Sequence, residues 1–116
     1  MSTVEKIVEQ SMLYDFYGEL LTSHQQSIYE AALFEDLSLS EIAQDAGISR
    51  QGVHDLIKRC DKQLIQYESR LHLVERFTNA RDAVQQICTL VNDDSHSEQS
   101  RLDHIEHIAK KLMEEL

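Results

Sequence analysis

Residues 38–59, SLSEIAQDAGISRQGVHDLIKR, constrain the fold of this chain more than any other stretch. Ser38 and Glu41 stand at capping-box spacing, in which the serine hydroxyl accepts an orphan backbone N–H and the glutamate returns the bond. They predict a helix over about 39–46. Ser49 predicts a second helix start three residues after that helix ends. Two helices joined so tightly must cross closely, so the first needs a small side chain at the contact and the turn needs a residue tolerant of positive φ. Ala43 and Gly47 occupy those two positions. Ile42, Ala46, Ile48, Val53 and Leu56 form the expected apolar seam, and Arg50, Gln51, His54, Asp55 and Lys58 point away from it.

This is the spacing of a helix-turn-helix, whose second helix enters the major groove of DNA. Glutamine can pair with adenine and arginine with guanine through two hydrogen bonds, while lysine suits phosphate. The candidate site follows: Arg50, Gln51 and His54 against bases, with Lys58, Arg59 and Lys62 against the backbone of DNA or RNA. The net charge of −10 opposes a chain that coats nucleic acid. That charge is unevenly placed. Residues 1–37 hold seven acids and one base, residues 63–116 ten and six, and residues 38–62 four of each.

The remainder reads as helix. There is no proline and there are three glycines in 116 residues, which favours an all-α fold over a turn-dense sheet protein. Ile7, Leu13, Phe16, Tyr17, Leu20 and Leu21 predict an amphipathic helix over 4–21, weakened at Gly18. Tyr14, Phe16 and Tyr17 are expected to pack in the core. Thr22 and Gln25 repeat the capping-box spacing, so a second helix runs from Ser23 to about Leu33 with Ile28, Ala31 and Ala32 inward.

Past the motif, Val53, Ile57, Cys60, Leu64, Tyr67, Leu71 and Val74 alternate steps of four and three, a seam that packs on a partner helix. Its phase slips before Phe77, Ala80, Val84, Ile87 and Val91, so the helix kinks or a new one begins near Asn79. NDDSHSEQS, residues 92–100, is the expected linker. Leu102, Ile105, Ile108, Ala109, Leu112 and Leu116 then mark a final amphipathic helix. We expect a helix-turn-helix domain over 1–62 and a C-terminal helical extension over 63–116 that serves dimerisation or partner binding. The apolar stripes exceed what one small core covers, and a homodimer pairing the long helices covers them. Folding both stripes back onto the N-terminal helices is the alternative.

Chemistry is sparse. Cys60 and Cys88 fall at apolar positions of helical patterns and are expected as buried free thiols. His104 and His107 lie one turn apart, but spacing fixes no third ligand, and they are expected as surface side chains. Asp93 and Asp94 read as an acidic linker, not a calcium loop. No nucleophile stands beside a base motif and no glycine-rich loop precedes a helix, so neither an enzyme nor a cofactor is expected. The N-terminal region carries an acid by residue 5 and no apolar run of seven, so no signal peptide or membrane span is expected and the cytoplasm is the default compartment.

LTSHQQSIYEAALFEDLSLSEIAQDAGISRQGVHDLIKR, residues 21–59, resembles region 4 of bacterial sigma factors. With LYDFYGELL before it and QLIQYESRLHLVERF after it, the stretch over about 12–77 resembles the YlxM-like family of small bacterial helix-turn-helix proteins, encoded beside the targeting GTPase of the signal recognition particle. The family's run matches at Ser49, Arg50, Gln51, Val53, Asp55, Ile57, Lys58 and Arg59. It departs at Gly52 and His54, where relatives tend to carry alanine and tyrosine. The resemblance implies a sigma-region-4-like fold and a regulatory part in the particle's protein-targeting pathway. Two functions are therefore expected: a DNA-binding regulator, or an acidic protein-interaction module that modulates the particle's GTPase without binding DNA.

Overall fold

The computed structural model describes residues 3–116. Among them the chain forms six α-helices and no strand: α1 Thr3–Tyr17, α2 Ser23–Leu33, α3 Leu39–Ala46, α4 Arg50–Leu71, α5 Leu73–Val91 and α6 Glu98–Glu115, with a 3-10 turn at Gly18–Leu20. The all-α expectation is met. Two compact units divide the chain, one ending at His72 and one running from Leu73 to Leu116. The boundary expected after residue 62 falls inside α4.

Local chemistry sets the helix starts in the first unit. Thr22 Oγ1 accepts the Gln25 amide at 3.1 Å and Gln25 Oε1 accepts the Thr22 amide at 2.9 Å. Ser38 and Glu41 repeat the exchange at 3.1 Å in both directions. Gln25 Nε2 also donates to Gln63 Oε1 at 2.8 Å, so the cap of α2 is tied to α4.

Ile28, Ala31, Ile42, Ala43 and Val53 form the core under the α3–α4 pair, flanked by half-buried Leu37, Leu39, Ile48, Leu56 and Ile57. Farther along α4, Cys60 and Leu64 are fully buried, as are Tyr17 and Tyr29 from α1 and α2. The α4 seam through Leu64 therefore meets α1 and α2 of its own chain, not the helix of another. Ala46, expected in the seam, is exposed.

Three tyrosines staple these helices. Tyr14 of α1 donates to Glu30 of α2, Tyr17 of α1 to Glu68 of α4, and Tyr29 of α2 to Asp61 of α4 at 2.5 Å. Gln10 Nε2 adds a 2.9 Å bond to Asp61 Oδ1. The Tyr14 and Tyr29 rings stack at 5.4 Å. Phe16, expected beside them in the core, lies at the surface, as do Ile7 and Leu20. The first helix ends at Tyr17, not 21, and the Tyr14 ring lies over Gly18, where an added Cβ would come within 2.9 Å of it.

The break after the long helix comes at His72, seven residues before Asn79. His72 takes φ 56° and its amide closes the helix onto Glu68 O at 2.9 Å. Periodicity located the shift of the apolar face, which trails the backbone break that causes it. In the second unit α5 and α6 form an antiparallel hairpin. Ser97 Oγ accepts the Ser100 amide, so α6 starts at Glu98 and the connection is 92–97 rather than 92–100. Arg101 Nη1 donates to the carbonyls of Leu90 and Val91 at 3.3 and 3.1 Å, satisfying the end of α5. Cys88 is exposed, correcting the expected buried thiol, because the side of α5 that carries it is uncovered.

Candidate nucleic-acid interface

The interface is built on the α3–α4 turn. Gly47 sits at φ 69°, and its amide and that of Ile48 both return to the carbonyl of Ala43, the latter at 3.2 Å. This is a left-handed helix ending with both amides on one carbonyl, and it requires a conformation that glycine adopts without strain. Ala43 itself is buried at the crossing of the two helices. Ala43 thus stands at the crossing and Gly47 in the turn. Ser49 Oγ then accepts the Gly52 amide at 2.9 Å and launches α4 in a new direction.

With Val53 and Cys60 turned into the core, the opposite side of α4 faces solvent. Arg50, Gln51, Lys58, Arg59 and Lys62 are exposed and His54 is half-buried. Arg50 and Lys62 are separated by about 18 Å of helix rise, against a major groove about 12 Å wide. The start of α4 can therefore sit in a groove while Lys62 reaches the bordering backbone. Among the described residues, Arg50, Lys58, Arg59 and Lys62 form no ion pair with a carboxylate. Two interactions modify the strip. Gln51 Nε2 donates to Asp55 Oδ1 at 2.9 Å, and His54 Nδ1 lies 3.6 Å from the same oxygen, without a hydrogen-bond partner.

The rest of the first unit carries the opposite sign. Residues 7–49 hold eight carboxylates and no lysine or arginine. Sequence reasoning missed Tyr29, Gln10 and Asp61, which fix α4 from behind. Their contact spans three helices, and no local spacing signals it. Burial, followed by the bond to Asp61, raises the Tyr29 hydroxyl pKa well above its ordinary value, so the phenol remains the donor. Burial raises the Cys60 thiol to about 11, leaving it protonated. His104 and His107 line an open groove in the second unit with Asp82 and Lys111, and no group of three metal-ligating side chains occurs among the described residues. No helix among those residues is long and apolar enough to cross a membrane.

A small three-helix core presenting α4 across a glycine turn defines a helix-turn-helix protein. The chain belongs to the UPF0122 family, described as "Putative helix-turn-helix protein, YlxM / p13 like", which it matches over residues 4–108. It is 53% identical over 73 residues to a UPF0122 protein of Clostridium botulinum, covering 63% of this chain and 67% of that one. A UPF0122 protein of Desulforamulus reducens is 37% identical over 90% of both chains. One from Bacillus thuringiensis is 36% identical over 92% of this chain and 97% of its own.

Proposed function

We propose that this protein is a DNA-binding regulator that reads its site with the first turns of α4. Arg50, Gln51 and His54 face the bases, and Lys58, Arg59 and Lys62 hold the phosphates. One observation carries the reading: among the described residues, Arg50, Lys58, Arg59 and Lys62 are exposed and form no ion pair with a carboxylate, in a chain of net charge −10. With four exposed cations against the one exposed carboxylate of Asp55, the strip has phosphate as the partner its chemistry suits. The resemblance of residues 12–77 supports the signal recognition particle pathway as the setting, and the cytoplasm as the compartment.

The test is a salt titration of double-stranded DNA affinity, with a structured RNA alongside. Arg50→Ala and Lys58→Ala, made singly, are expected to weaken binding and to flatten its salt dependence by roughly one phosphate contact each. Affinity unchanged in both variants overturns the reading.

The carboxylate-only surface of residues 7–49 favours a second reading, in which this side docks a basic protein that modulates the targeting GTPase. Between α2 and α3 it opens into a groove of about 360 Å³ with Ile28, Ala31 and Ile42 in its floor and Glu30, Glu35 and Asp45 on its rim. Glu35→Lys and Asp45→Lys would then abolish recovery of the particle's components from extract while leaving DNA affinity intact.

A further inference from the structure

The second unit leaves a packing problem that its own two helices do not solve. Ile108 is its only buried residue among those described, and α5 contributes none. Two helices form one layer, whereas stable domains bury apolar faces between at least two layers, and below about 70–80 residues a single core rarely suffices.

Helical geometry, at about 100° per residue, sorts the hairpin into two faces. On one, Asp82 and Gln86 of α5 and His104, His107 and Lys111 of α6 line an open polar groove of about 550 Å³. On the other, Val84, Cys88 and Val91 of α5 lie beside Leu102, Ala109 and Met113 of α6. Val84 is 51% exposed, Val91 59%, Leu102 52% and Met113 76%, and Cys88 and Ala109 are exposed as well. The steps of four and three on α5, and of seven and four on α6, are those of a seam that meets another helix.

We propose that this face is covered by the same face of a second copy, the two hairpins forming a four-helix bundle about a twofold axis. The centre of the face carries no charge, so it suits neither nucleic acid nor a strongly charged peptide. Its edges carry both signs: Arg81, 4.0 Å from Asp82, flanks the stripe on α5, and Glu106, paired with Lys110 at 2.6 Å, flanks it on α6. A twofold that lays α5 over α6 of the other copy brings Arg81 to Glu106 and lets these exposed pairs, each weak in water, exchange across both rims. Six exposed apolar side chains per copy form one stripe, and matching two such stripes removes both from water. The pairing rests on the second unit alone and stands apart from the DNA reading.

Sedimentation equilibrium of the full chain tests it. A two-chain mass is expected at high micromolar concentration, with pairing weakened at least tenfold by Val84→Lys or Met113→Glu. Gln86→Ala and Lys111→Ala, on the groove side, are expected to leave the mass unchanged, and far-UV circular dichroism checks that each variant is folded. In the unaltered protein, alkylation of Cys88 should slow as concentration rises and the seam closes over it. Single chains at high micromolar concentration overturn the proposal, with or without a shielded Cys88. So do dimers that survive both apolar-face variants or that dissociate on groove-side substitution, and a Cys88 rate independent of concentration.

Discussion

Gln51 and Asp55 are hydrogen-bonded across one turn of α4, amide to carboxylate at 2.9 Å, in the middle of the strip formed by Arg50, Lys58 and Lys62. The strip thus carries its own anion, and the amide expected to read a base is held by it. Removing that charge should tighten DNA binding. Asp55→Asn keeps the shape of the side chain and removes about 1 kcal/mol of repulsion toward a phosphate near the surface, a gain of roughly fivefold at low salt that fades as salt screens it. Fluorescence anisotropy on mixed-sequence duplexes measures this, and weaker binding by Asp55→Asn would show that the carboxylate itself makes a favourable contact with a base.

Tyr29 and Asp61 set where the strip points. The phenol is fully buried and donates to a carboxylate on the inner flank of α4, which also accepts from Gln10. Tyr29→Phe keeps the ring and deletes the donor, so its effect isolates the bond. A loss of about 1–2 kcal/mol in urea unfolding is expected, since a charged acceptor strengthens the bond. Tyr14→Phe should cost less, because its bond to Glu30 is exposed. Equal losses would mean that burial of the Asp61 bond adds nothing.

Gly47 is a sharper test of the turn, because space and backbone strain separate there. An added Cβ meets no atom within 4 Å, while φ is 69°. Gly47→Ala therefore measures the left-handed conformation alone, with an expected loss of roughly 1–2 kcal/mol. Gly47→Asn should lose less, since asparagine tolerates that region. Ordering of the two variants by thermal melts checks the claim, and an alanine variant as stable as the parent would show that the turn can relax.

What was legible in the sequence was local. Capping boxes at Thr22 and Ser38, the Ser49 cap and the Gly47 turn each depend on residues within five positions, and each formed as read. The break at His72 was not legible, because no glycine or proline marks it and the left-handed residue is a histidine. Burial was legible only where a covering element was already known. Phe16 and Cys88 occupy apolar helical positions as regularly as Leu13 and Cys60 do, and periodicity alone gives no sign of which faces remain open. On the basic strip, spacing placed the cations outward, yet the Gln51–Asp55 bond depended on rotamers that no pattern encodes.

The hairpin connection gives a pH signature confined to the second unit. Asp93 Oδ1 accepts from both the hydroxyl and the amide of Ser95, at 2.5 and 2.8 Å, and His96 Nδ1 lies 2.9 Å from Oδ2. The Ser95 bonds, followed by the one from His96, pull the carboxyl down from its ordinary 3.8 to about 2. A carboxyl depressed in the folded state stabilises it above the unfolded-state value, and that contribution disappears as pH falls through the folded value. The loop should therefore hold fully above about pH 4 and lose its Asp93 contribution between 4 and 2. Asp93→Asn removes the titration, so its melting temperature should lie below that of the parent at pH 5 and converge on it near pH 2. Parallel curves over that interval would show that Asp93 does not anchor the connection between α5 and α6.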